Sequence, residues 1–478
     1  MDGFYNSSLL LKRSSGLSFE FRLYVWSLFA EPLLFFVVLD QDITGVNLSY
    51  GRLLQATFLT IFFLRRVMRG NTLVLPNPAY PLYRHFFTYL MLLLLSSAAG
   101  VVFYDSYILI HAYENWNLPV FVEVIRGAYS RPLFELIILL YYFGYYTVLP
   151  RYILTTREKI EYFFKWTIRI LKLMLLLGFI DLIMQLTTGW YIPKHSSHID
   201  FGYVGLRFHA LLGEPRDAVP YLFFALSMVY LQRSVINDRR GNRNLAMLCI
   251  AALVMTQSAS GLVGLGLTAV GLIFFYVSTS IRKLVLAITI ALILATIVFY
   301  FLSLSQRMME YYNAFSDILK VLNDGGELPV IAAFQVSNFL PFWAMWKDFN
   351  QLNLMPVLFG SGIGSVSFVN NNLIRYFVAE ATGGIFNPNA QITRIIYESG
   401  LIGTLVYIYA LYYPLKIFLT KYTCCHTINF VLFTLLMGAA LGHRSTTIFI
   451  YVGIIIVLIT NWPGGDGVMV RTSSIRPA

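Results

Sequence analysis

The chain has 478 residues, of which 58% are hydrophobic and 12% charged, with a mean hydropathy of +0.67. A soluble globular protein carries about 25% charged residues, so this chain lacks the polar cover for a water-soluble surface. The same apolar content excludes intrinsic disorder. A net charge of +11 would suggest nucleic acid in a soluble protein. No basic, aromatic-interleaved domain is present, and loop charge beside a bilayer with anionic lipid accounts for the excess.

Three cysteines make no disulfide framework. Cys424 and Cys425 are adjacent, Cys249 sits in an apolar run, and no CxxC or His/Cys metal spacing occurs. The first residues lack the h-region and cleavage site of a signal peptide, so the first span is expected to be retained as an anchor.

A span needs about 20 mainly apolar residues. Twelve stretches qualify: 22–40, 51–68, 85–104, 132–150, 166–188, 217–232, 244–259, 261–280, 284–304, 399–418, 427–442 and 445–462. The pairs 244–259 with 261–280, and 427–442 with 445–462, also read as helical hairpins or re-entrant elements. The expected fold is all-α and polytopic, with about 12 transmembrane helices. Spans one to nine occupy 1–304, a long loop 305–398, spans ten to twelve 399–462, and a tail 463–478.

Lys and Arg set the orientation. With the N-terminus in the cytoplasm, 23 of them fall inside and 12 outside, five of the latter in the long loop. Both termini are therefore expected inside and loop 305–398 outside. That loop carries aromatics and the cluster Gly360, Gly362 and Gly364. So long a loop without its own periodicity is functional or disordered, and its apolar content argues against disorder.

The outer face holds the unusual polar residues. Residues 190–218 bring together Lys194, His195, His198, Asp200, Arg207, His209, Glu214, Arg216 and Asp217. Cations there run against the inside bias. Lys194 fits interfacial anchoring, whereas Arg207 and Arg216, flanking Gly213-Glu214-Pro215, suit bidentate binding of a phosphate or diphosphate. The three histidines lack a metal-binding frame and read as interfacial residues or as a proton acceptor. No metal or cofactor is expected.

Residues 386–403 hold Arg394 and Glu398 at i, i+4 where a span begins, with Arg375 upstream. As a surface pair they would contribute a few tenths of a kcal/mol. At a span entrance, ionisable residues are functional candidates. Gly442-His443-Arg444-Ser445 would lie at the outer end of a tight hairpin, or be a simple polar turn. Asp181, inside a span, is expected to pair with a cation or polar neighbour. Residues 256–261, TQSASG, make a small polar break that suits close helix packing or irregular backbone lining a cavity.

These segments resemble the O-antigen polymerase (Wzy-type) and O-antigen ligase group of bacterial membrane glycosyltransferases. Four features carry the resemblance. Arg207-Phe-His-Ala-Leu-Leu-Gly-Glu214-Pro215 at a span entrance is similar to the group's R…G…(E/N)P segment. Thr256-Gln-Ser-Ala-Ser260-Gly261 is similar to its T-x-S-R/S-G segment. Gly360-Ser-Gly362-Ile-Gly364 lies in the long outer loop, and Glu398-Ser-Gly400-Leu-Ile-Gly403 is similar to its E-x-G-L-I-G. The resemblance covers roughly residues 200–460.

It implies an architecture like the C-type glycosyltransferases and a multi-pass protein of the bacterial inner membrane. It implies a metal-independent inverting transfer between undecaprenyl-diphosphate-linked glycans at the periplasmic face, and a chain-length regulator as partner. The ligases carry a histidine nine residues before the Glu of ExG as base. Asn389 stands there in this chain and cannot accept a proton, which favours a polymerase unless His209 or Glu214 substitutes. In this reading Arg207, Arg216, Arg394 and Arg444 hold the departing diphosphate, and Glu214 or Glu398 is the base or orients an arginine. Arg375, His209, Asn389 and His443 complete the substrate contacts. A ligase, a lipid-linked oligosaccharide flippase and a non-catalytic assembly subunit are the competing readings. Related halves and a central cytoplasmic loop, expected of a two-halves transporter, are absent from the sequence.

Overall fold

The computed structural model describes residues 17–30, 37–39, 48–68, 81–103, 130–189, 207–209, 215–236, 239–258, 351–365 and 391–421, with scattered positions between 261 and 350. Among the described residues the chain is helical, with one small antiparallel pairing in addition. The elements are α1 (Phe19–Ala30), β1 (Val37–Leu39), β2 (Leu48–Ser49), α2 (Tyr50–Met68), α3 (Pro81–Phe103), α4 (Ser130–Phe143), α5 (Leu149–Ile153), α6 (Arg157–Thr188), α7 (Pro215–Ile236), α8 (Arg239–Met255), α9 (Leu354–Phe359) and α10 (Gln391–Lys421). A π-helical turn, Gly144–Val148, joins α4 to α5.

Among the described residues two helical stretches are long and apolar enough to cross a bilayer, Pro132–Ile153 with 22 residues and Arg157–Thr188 with 32. They fall on the spans expected at 132–150 and 166–188. The expected helix over 22–40 is corrected: α1 covers only its first part, and Val37–Leu39 are extended and pair with β2. Pro32 disfavours a continuous helix through this stretch, and the β-branched Val37 and Val38 suit a strand. The expected spans 427–442 and 445–462 lie outside the described residues, and of 261–280 and 284–304 only single positions are described.

Local sequence explains the ends of α6. Thr156 is its N-cap, accepting the Lys159 N–H at 3.4 Å, and Gly189 ends it at φ +69°, where a residue without Cβ is unstrained. The helix is apolar on its outer face. Leu173, Leu176, Ile180, Ile183 and Leu186 are exposed, while Leu171, Met174, Leu175, Asp181 and Leu182 are buried. An exposed apolar stripe with an acid turned inward is the reverse of a soluble helix and suits lipid.

The chain divides into two compact units. The first contains α1, α2, α6, α7 and α8, where α7 packs on α8 and both meet α6, and α1 packs on α2. Ring contacts hold it: Tyr24 on Phe58 at 5.1 Å, Phe29 on Phe163 at 5.7 Å and Trp26 on Trp166 at 5.3 Å between centroids. The second contains α3, α4, α9 and α10, with α10 packed along α3 and α9 against both. Phe86 of α3 stacks on Phe143 of α4 at 3.8 Å.

Candidate functional site

Each unit holds one polar cluster built from residues that the sequence singles out. In the first unit the tripeptide Arg207-Phe208-His209 forms a strap across helix ends. The Phe208 N–H donates to the Met255 carbonyl at 2.8 Å, and Arg207 Nε donates to the Thr256 carbonyl at 2.9 Å. Both acceptors lie at the C-terminal end of α8, where orphan carbonyls and the helix dipole favour a cation. The turn beyond is made by Gln257 at φ +48°. The polar break read at 256–261 therefore begins as a helix terminus.

Phe208 is buried in a notch at Gly178 of α6, where a Cβ would come within 2.3 Å of its ring. Gly178→Ala should therefore push the ring out of place. Such overpacking costs about 1–3 kcal/mol, and a lower melting temperature of the detergent-purified protein would register it. An unchanged melting temperature would show that the ring moves aside freely.

One turn beyond Gly178, Asp181 meets the strap. His209 Nε2 lies 2.8 Å from Asp181 Oδ2, off the ideal hydrogen-bond direction, with side-chain exposures of 1% and 0%. The same oxygen accepts from Gln185 Nε2 at 2.5 Å. His209 Nδ1 is buried and has no partner among the described residues. Asp181 thus has the polar partners expected of a buried acid, and one of them is a residue that sequence reasoning placed in the substrate site.

In the second unit Arg394 is buried between two carboxylates. Its Nε donates to Glu398 Oε1 at 2.9 Å, and its Nη2 lies 3.2 Å from Glu135 Oε2 of α4. The sequence showed Arg394 with Glu398; it gave no sign of Glu135, which comes from a distant helix. Glu398 Oε1 also accepts the Gly364 N–H at 3.0 Å.

The glycine cluster is docked here. The N–H of Gly360 donates to the Pro356 carbonyl, that of Ser361 to Tyr397 and that of Gly362 to Glu398, at 2.8, 2.9 and 2.9 Å. The Ile363 N–H donates to Ser97 Oγ at 3.0 Å, and Ser96 Oγ donates to the Phe359 carbonyl. With Gly364 on Glu398, every N–H from 360 to 364 has a protein acceptor. The loop is a latch between α3 and α10 and offers no open cradle of N–H groups to a phosphate in this conformation. It seats against a break in α10 at Gly400, whose φ is 66° and ψ −173°. The helix expected at 399–418 thus starts earlier, at Gln391, and is kinked beside Glu398.

Arg216 lies in the first turn of α7. Glu214, Arg375, Asn389, His443 and Arg444, with Lys194, His195, His198 and Asp200, lie outside the described residues.

The glycine latch, the buried Arg394 and the break at Gly400 fall within a stretch that a family model matches. Residues 245–408 match the family model Wzy_C, described as O-antigen ligase. Over that stretch the resemblance to the O-antigen polymerase and ligase family holds. The match includes Arg375, Asn389, Arg394 and Glu398, and stops short of Arg207, His209, Glu214, Arg216, His443 and Arg444. A comparison with the curated proteins gave no match. The Wzy_C match supports an O-antigen ligase or polymerase type of function for this stretch.

Proposed function

We propose that the chain is a polymerase of O-antigen or a related surface polysaccharide. It transfers the growing undecaprenyl-diphosphate-linked glycan onto the next lipid-linked repeat unit at the periplasmic face of the inner membrane. The Wzy_C match supports the reaction type. The choice of polymerase over ligase rests on Asn389, nine residues before Glu398, where the ligases carry a histidine and this chain has a side chain that accepts no proton.

The donor is activated by its diphosphate leaving group, so positioning and charge stabilisation carry much of the catalysis. The diphosphate is assigned to Arg207 and Arg216, with Arg375, His443 and Arg444 as further contacts. Arg394 is engaged by Glu135 and Glu398, and Glu398 in turn holds the glycine latch through the Gly364 N–H. A regulator of chain length is the expected protein partner.

Deleting the gene and separating lipopolysaccharide on a gel tests this reading. A polymerase mutant should leave lipid A-core carrying a single repeat unit. Loss of all O-chains with accumulation of long lipid-linked polymer would replace the reading with a ligase. Single lipid-linked repeats trapped on the inner leaflet would replace it with a flippase.

A further inference from the structure

Helix α6 has 32 residues, about 48 Å of helix against a hydrocarbon core of about 30 Å. The excess lies at its N-terminal end, where its charged residues run from Arg157 to Lys172. Beyond Lys172 it carries one charge, the inward-facing Asp181.

Helical spacing sorts these charges by face. Lys165, Arg169 and Lys172 stand at i, i+4 and i+7, and Leu176, Ile180 and Ile183 continue the same stripe at i+11, i+15 and i+18. The three apolar residues are exposed, as are Arg169 and Lys172, and Lys165 is half-buried. One outward face therefore carries three cations followed by an apolar track. That is the outline of a phospholipid, headgroup first and acyl chain after.

We propose that this face of α6 binds an anionic phospholipid of the leaflet in which the helix begins, the cytoplasmic one in the expected orientation. The headgroup phosphate sits among Lys165, Arg169 and Lys172, and an acyl chain lies along Leu176, Ile180 and Ile183.

The cations call for an anion. Like charges at i+4 and i+3 repel along a helix, and among the described residues no carboxylate bonds any of the three. Glu161, one turn before Lys165, is taken by Arg157 at 2.8 Å. Glu158 lies two turns before Lys165, about 10 Å along the axis. A phosphate bound among the three relieves the repulsion, and near a bilayer the phosphates belong to lipid.

The depth also fits a headgroup. The Arg169 guanidinium carbon lies over the Trp166 ring, 5.4 Å from its centroid, which holds the cation in place. Trp166 packs in turn on Trp26 of α1 and on Tyr162, at 5.3 and 6.1 Å between centroids. Trp and Tyr gather at the level of the headgroups, so this ring cluster sets Arg169 at that level. Charges that only orient a span can occupy any of its faces. Here three of them share the face that α6 turns to lipid.

The test exposes the full-length protein in detergent to equimolar phosphatidylglycerol and phosphatidylethanolamine and reads the retained lipid by native mass spectrometry. The parent should retain phosphatidylglycerol in preference. Arg169→Gln/Lys172→Gln should lower that preference about 25-fold, at about fivefold for each cation, with an unchanged melting temperature. Lys416→Gln/Lys421→Gln removes the same charge from the end of α10 and should stay within about twofold of the parent, because distant exposed charges are screened. A parent without preference, or equal losses in the two double variants, would overturn the site and leave the cations as orientation signals alone. If Arg169→Gln/Lys172→Gln does not fold, Lys165→Gln/Lys172→Gln is read in the same way.

Discussion

Arg394→Leu should destabilise the second unit by about 3–5 kcal/mol, because it leaves two carboxylates facing each other with no cation between them. Glu135 and Glu398 approach opposite parts of the one guanidinium, at 3.2 and 2.9 Å, and Arg394 is 4% exposed. The damage should spread to the latch, because Glu398 Oε1 also holds the Gly364 N–H. The expected reading is a large fall in the melting temperature of the detergent-purified protein, together with loss of chain extension in cells. The companion variant Arg394→Leu/Glu135→Leu/Glu398→Gln removes all three charges. It should recover much of the stability, since a buried ion cluster replaced by uncharged groups of similar volume is often no less stable. Recovery of folded protein without recovery of chain extension would give Arg394 or its partners a direct part in the reaction. A single variant that melts with the parent would show that the cluster is solvated and weak.

The same cluster marks how far sequence alone reaches. Arg394 and Glu398 were visible as a pair because helical spacing puts i and i+4 on one face. Glu135 was invisible because α4 and α10 meet only through tertiary packing, which no local period encodes. The glycine cluster was visible as composition. Its function as a latch was not, because beyond the local bond of Gly360 to Pro356 its acceptors are Ser97 of α3 and the Tyr397 and Glu398 groups of α10, all distant in the chain. Asp181 was read as a buried acid in need of a polar neighbour, and that need follows from the cost of burying a charge. That the neighbour is His209 follows from the Phe208 notch at Gly178, a shape feature. The helical reading held over 132–150 and 166–188, where apolar length decides. It failed over 22–40, where hydropathy does not distinguish a helix from the strand Val37–Leu39.

Gly400→Ala should abolish docking of the latch. Gly400 has φ 66° and ψ −173°, a region that residues with a Cβ essentially do not enter. A Cβ there would stand 2.3 Å from the Leu358 carbonyl oxygen and 2.5 Å from the Gly360 nitrogen. Both are backbone atoms, so no side-chain rotation relieves the contact. Gly360 is its counterpart: at φ 81° its Cβ would meet the Glu398 carbonyl and the Gly400 nitrogen, each at 2.5 Å. The two glycines let the break in α10 and the start of the latch touch backbone to backbone, and this contact brings the Ser361 and Gly362 N–H groups onto the Tyr397 and Glu398 carbonyls. Either substitution should cost about 3 kcal/mol or more, combining backbone strain with a displaced chain. Because both break the same contact, the double variant Gly360→Ala/Gly400→Ala should cost far less than the two single effects added together. Gly266→Ala is the control, since nothing lies within 4 Å of a Cβ there, and it should leave stability unchanged or slightly raised. Melting of the four proteins in detergent, with chain extension measured alongside, decides the matter. Additive losses would mean that the glycines act separately, and the latch would then have to be held by Ser97, Arg394 and Glu398 alone.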